Sequence, residues 1–142
     1  MSRFIGNLNI VMAALCGDDL HLTQVGDAEA YLIRKRYVSI VSEGLGSEKG
    51  EKDTFVNIAS GTLEQGDSVV LSSSRILRYV TKNEFGKLFG HELSEALAEL
   101  KELLTTEILG RAAIIGLYVS EKEELVNEGD EGEIEKPEGE GF

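Results

Sequence analysis

The stretch that most constrains this chain is Val69-Val70-Leu71-Ser72-Ser73-Ser74-Arg75-Ile76-Leu77, where a β-branched apolar run gives way to three serines and an arginine before apolar residues resume. Val-Val-Leu fits the pleated surface of a buried strand. Just upstream, Glu64-Gln65-Gly66-Asp67 supplies the turn that starts it, since Gly accepts positive φ and Asp bonds to nearby backbone. From Ile76 the period changes, and Ile76, Leu77, Tyr79 and Val80 suit a turn or two of helix. The sequence therefore demands a strand that runs through a polar corner into a helix.

The preceding residues read as strands. Leu8 to Cys16 is small, apolar and without helical spacing of polar residues, which predicts a buried strand with Cys16 as an inert core residue. Gly17-Asp18-Asp19 predicts a hairpin turn into Leu20–Val25, whose apolar and polar side chains alternate at period two. Gly26 predicts a bulge or a close backbone approach before Ala28–Ile33. Arg34-Lys35-Arg36 then turns the chain into Tyr37–Val41, completing an antiparallel meander. Residues 42–53 hold three glycines, many charges and one apolar residue, and predict an exposed loop; Thr54–Gly61 reads as the next strand.

Helical signals follow. Thr81 with Glu84 is a capping box for a helix carrying Phe85, Leu88 and Phe89, closed by Gly90. Ser94 is the expected N-cap of a longer helix, with Leu93 as staple and Leu97, Leu100, Leu103, Leu104 and Ile108 on one face. Arg111–Val119 is small and apolar and predicts a last, central strand.

Charge excludes some classes of partner. Of 26 acidic residues, ten lie in 121–142 against two lysines, so a net charge of −12 leaves only −4 on residues 1–120. The expected organisation is a domain over 1–120 and an acidic disordered tail over 121–142, whose four apolar side chains cannot offset ordering entropy. No basic stripe exists, so nucleic acid and anionic membrane are poor partners. One cysteine allows neither an intrachain disulfide nor a cysteine-rich zinc site, and the absence of an apolar span or secretory leader pattern points to the cytoplasm.

Two stretches, Val25-Gly26-Asp27-Ala28-Glu29-Ala30-Tyr31-Leu32 and Ile58 to Ser74 with its Gly66-Asp67-Ser68-Val69-Val70-Leu71, keep the order and spacing of a known pattern. They resemble the C-terminal half of the type 2C, metal-dependent (PPM-type) protein serine/threonine phosphatases, whose motifs read V-G-D-S-R-A-Y and G-D-x-L-L-L-x-S/T-D-G; the likeness covers roughly residues 8–120. The resemblance implies an α+β fold, an antiparallel β-sandwich or part of one with helices packed outside. It also implies a two-metal site in which aspartates hold Mn²⁺ or Mg²⁺, hard cations that prefer oxygen and activate water against a phosphoserine or phosphothreonine.

Against that pattern, Ser74 falls where the metal-binding Asp belongs and Arg75 where its Gly belongs. The late D-N-x-T motif falls on Gly110-Arg111-Ala112-Ala113, and no D-G-H-G turn occurs. Asp27 remains, in what the resemblance makes a structural or outer-shell role. The expectation is a truncated, catalytically inactive pseudophosphatase that needs no cofactor and binds a protein partner, a phosphorylated segment or itself as a homo-oligomer through open sheet edges. The alternative is the C-terminal part of an active Mn²⁺- or Mg²⁺-dependent phosphatase. No catalytic, cofactor or metal residue is assigned; Asp27, Ser72, Ser73, Ser74, Arg75 and Arg111 form the candidate degenerate site or anion pocket, since hydroxyls and arginine at a helix start favour phosphate. Serines at a strand end are also ordinary caps. Asp27 with Glu29 reads as a polar strand end, an acid/base couple or an outer metal ligand, Asp18-Asp19 as turn residues, and His21 and His91 as surface residues.

Overall fold

The structure, a computed structural model, describes residues 8–45, 57–107 and 112–120. Its strands are β1 (Ile10–Cys16), β2 (Asp19–Val25), β3 (Glu29–Arg34), β4 (Tyr37–Ile40), β5 (Ala59–Thr62), β6 (Ser68–Ser72) and β7 (Ile114–Tyr118). A single 3-10 turn, Ile76–Arg78, precedes helices α1 (Lys82–Leu88) and α2 (Leu93–Glu107). The strands form two antiparallel sheets, ordered β1-β2-β5 and β4-β3-β6-β7. The fold is thus α+β and a sandwich, as the sequence leads one to expect.

Alternation along the strands divides the apolar side chains between two cores. Leu20 and Leu22 of β2 meet Ala30 and Leu32 of β3 and Val69 and Leu71 of β6 between the sheets. On the opposite face of the four-stranded sheet, Tyr31, Ile33 and Val70 pack against Ile76, Val80, Phe85, Leu100 and Leu104. The four-stranded sheet is therefore the middle layer, with the other sheet on one side and both helices on the other. Fully burying each large apolar side chain contributes about 1.5–3 kcal/mol, so this doubly covered sheet concentrates the stabilisation.

Turns follow the chemistry of their residues. Cys16 pairs with Asp19 across Gly17-Asp18, with Gly17 at φ 61°. Lys35 and Arg36 both adopt positive φ, 51° and 68°, in the two-residue turn between β3 and β4. That geometry suits Asn-Gly, and here two long cations accept its strain. Its position is fixed from outside, because the Arg36 carbonyl lies where a Cβ on Gly86 of α1 would sit. Thr81 and Glu84 form the predicted capping box, each side chain bonding the other's backbone N–H.

Several expectations are corrected. Strand β1 is not buried: from Met12 to Cys16 every residue is exposed, because the strand is the outer edge of its sheet, and Cys16 is an exposed free thiol. The first four strands are not one meander, since the chain leaves one sheet after Val25 and enters the other at Glu29. Gly26 is the close approach expected there, at φ 71°, with the Leu8 carbonyl and the Asn9 side chain where a Cβ would go. Ser42 is buried rather than loop-exposed, its Oγ accepting from the Ala30 N–H at 2.9 Å. Of the expected Thr54–Gly61 strand, residues 54–56 lie outside the described residues; β5 begins at Ala59 and runs one residue past the expected end, to Thr62. Helix α2 starts at Leu93, so Ser94 lies in its first turn and is not the N-cap. Among the described residues β7 is an edge strand, not a central one. Residues 46–56, Ile108, Arg111 and the tail 121–142 lie outside the described residues. Among the described residues no helix is long and apolar enough to cross a membrane.

A candidate site at the strand end

The crossover between the sheets sets the first half of the site. Gly26 lets the backbone pass close under Asn9, whose Oδ1 accepts from the Asp27 N–H at 2.7 Å, and Gln24, itself buried, donates to the Gly26 carbonyl. Asp27 and Glu29 follow on the chain as it enters β3, and Glu29 is in register with Ser72 at the end of β6.

The second half is the Ser72–Arg75 corner. Ser72, nearly inaccessible, accepts from the Ser74 N–H at 3.1 Å. Ser73 binds Ala113 twice, its N–H donating to the carbonyl at 3.0 Å and its Oγ accepting the N–H at 2.9 Å, which fixes the chain as it enters β7. Two of the three serines thus satisfy backbone donors, the capping role open to such residues. Arg75 has extended backbone and precedes the 3-10 turn. Its Nη2 lies 3.5 Å from Asp27 Oδ1 and its Nε 3.3 Å from Glu29 Oε1.

Beneath this cluster is Tyr31, fully buried, whose hydroxyl accepts from the Ile76 N–H at 2.9 Å. Burial first, then the hydrogen bond and negative charge of Glu29, push its phenol well above the usual tyrosine value. The phenol therefore stays protonated, and its oxygen orders the start of the helical segment. Its ring meets Phe85 edge-on at 5.3 Å.

The structure brings Asp27, Ser72, Ser73, Ser74 and Arg75 to one strand end; Arg111 lies outside the described residues. Asp27 and Glu29 share the arginine, so the cluster carries one net negative charge, which electrostatics sets against phosphate. The remaining candidates have plain roles. Asp19 accepts from Thr62 Oγ1 at 2.8 Å, and His21 bonds Ser60 across β2 and β5 at 2.7 Å. Among the described residues no group of three or more His, Cys, Asp or Glu side chains is placed to hold a metal ion. Two carboxylates already matched to a guanidinium do not fit a two-metal centre.

Sequence reading missed two features. Tyr31 carried no signal beyond the Ala-Tyr of the strand motif, although an aromatic hydroxyl in an otherwise apolar strand must find a partner when buried. The sequence marks Asp67 as a turn residue. It accepts from the Glu64 N–H at 2.7 Å, as a turn Asp should, but it is also buried and bound bidentately by Arg34 at 2.9 and 2.7 Å. That guanidinium, more than burial opposes it, holds the Asp67 carboxyl below the usual carboxylate range.

No protein-family model and no curated protein matches the chain. Solved structures do. The Streptococcus (S.) agalactiae serine/threonine phosphatase superposes with TM-score 0.65 at 17% identity, over 84% of this chain and 66% of that one. PppA, described as a key regulatory component of the type VI secretion system (T6SS) in Pseudomonas aeruginosa, gives 0.62 at 16%, over 76% and 56%. The catalytic domain of the serine/threonine protein phosphatase PstP, solved with two manganese ions, gives 0.60 at 15%, over 76% and 56%. The chain spans between 56% and 66% of the length of these three proteins. The fold is that of the type 2C phosphatases.

Proposed function

We propose, with the type 2C phosphatase fold as premise, that this chain is a catalytically inactive, metal-independent member of that architecture and works by association with a second copy of itself. The observation that carries the reading is β1. It is seven residues long, without charge or proline, and among the described residues only β2 pairs with it. Met12 is 48% and Leu15 54% exposed on it. An uncharged, apolar, unpaired edge is a template for another strand. Antiparallel pairing of β1 with its own copy is isologous and would join the two β1-β2-β5 sheets into one. Because β1 is uncharged, the acidic character of the chain does not oppose contact there.

Inactivity is supported by the strand end, where the serines are engaged by backbone and the carboxylates by Arg75. A reducing, cytoplasmic setting suits an exposed free thiol at Cys16. Sedimentation velocity at micromolar concentration is expected to give species heavier than the 15.5 kDa monomer, and Leu15→Lys, a charge placed on an exposed site, is expected to return them to monomer with unchanged circular dichroism. A monomer at all concentrations ends the association reading. Release of phosphate from a phosphopeptide with Mn²⁺, abolished by chelator, would instead make this an active phosphatase fragment.

A further inference from the structure

Arg75 carries an inference independent of association. Asp27 and Glu29 approach each other through backbone that other residues hold in place: Asn9 on the Asp27 N–H, Gln24 on the Gly26 carbonyl, and the β3–β6 ladder at Glu29. Glu29 is also the less exposed of the pair, its side chain 16% accessible against 54% for Asp27. The two carboxylates share one guanidinium, and like charges that share a partner favour a cation between them. Here the described residues offer no third His, Cys, Asp or Glu to complete a metal site, and a guanidinium reaches both carboxylates at 3.3 and 3.5 Å.

We propose that Arg75 is the resident cation of this strand end, tethered to the chain, and that it excludes divalent ions from Asp27 and Glu29. A divalent ion prefers oxygen ligands and would have to displace a positive charge already in contact with both. The corner between β6 and the 3-10 turn therefore keeps its charges paired without a divalent ion. Without the arginine, the same two carboxylates beside Ser72 and Ser74 become a weak hard-cation site.

The test is a Mn²⁺ titration of the full chain, with free Mn²⁺ read by electron paramagnetic resonance and the site by paramagnetic broadening of the Asp27 to Glu29 amides. The unsubstituted chain is expected to show no saturable binding up to about 1 mM, the weak end of protein divalent-cation sites. Arg75→Gln is expected to tighten Mn²⁺ binding by about fivefold or more, the scale of removing a unit charge in contact at a half-exposed site. The doubly substituted Arg75→Gln, Glu29→Gln chain should lose that gain. Saturable broadening at Asp27 to Glu29 in the unsubstituted chain overturns the proposal, and so does an Arg75→Gln chain that binds no tighter or a gain that survives Glu29→Gln. Should Arg75→Gln not fold, the unsubstituted titration still decides. Neither arm depends on oligomeric state, so failure here leaves the association reading standing.

Discussion

At the scale of single residues, the polar groups that matter most are the ones the fold has buried. Asp67 has a side chain only 1% exposed, whereas its partner Arg34 is 37% exposed. Removing the carboxylate charge therefore leaves the arginine able to regain water, and Asp67→Asn should cost about 2 kcal/mol rather than the larger penalty of an orphaned buried ion. The folded state holds the Asp67 carboxyl below its unfolded value. Its stabilisation is thus complete above the ordinary carboxylate pKa and is lost as pH falls below about 4. Acid unfolding followed by circular dichroism should show a shallower limb in Asp67→Asn. Tyr31 has the opposite sign, because its raised phenol pKa keeps the fold's contribution intact below about pH 10 and loses it above. Tyr31→Phe leaves the Ile76 N–H unpaired in the core, and chemical denaturation should register a loss of about 1–3 kcal/mol. Neither partner was legible in sequence. Arg34 and Asp67 lie 33 residues apart, Tyr31 and Ile76 lie 45 apart, and no local pattern reports a pairing made by topology.

Elements were easier to read than their placement. The alternation of Leu20 and Leu22, the Thr81 and Glu84 box and the Gly66-Asp67 turn are local signals, and each forms where expected. The change of sheet at Gly26 was not readable, because a glycine break marks a bulge as readily as a crossover and the strand period does not say which sheet a strand joins. Strand β1 shows a related limit: apolar composition states that a surface would gain by burial, not that the chain contains its cover. Between elements, the tightest fit is α1 against the β3–β4 turn. Gly86→Ala should gain helix propensity, yet its Cβ would meet the Arg36 carbonyl, and that carbonyl belongs to a turn already in positive φ. Since the turn has no relaxed alternative, the clash outweighs the propensity gain, and a net loss of about 1–3 kcal/mol is expected in thermal or urea unfolding. Thr81→Ala, by contrast, should cost only about 1 kcal/mol.

On the scale of the whole molecule, association and stability are linked. If copies pair through β1, the folded state is stabilised by mass action, so the melting temperature should rise with protein concentration; in Leu15→Lys it should not. A concentration-independent melt in the unsubstituted chain would contradict pairing. The layer order has its own outcome. The four-stranded sheet is covered on both faces, whereas among the described residues β1 has one hydrogen-bonded neighbour and is exposed from Met12 onward. Deuterium uptake should therefore run inward through the protein. In the Leu15→Lys monomer the amides of β1 should exchange first by local fraying, pairing in the unsubstituted chain should slow them, and in both those of Tyr31, Ile33, Val69 and Val70 should exchange last, only through global opening.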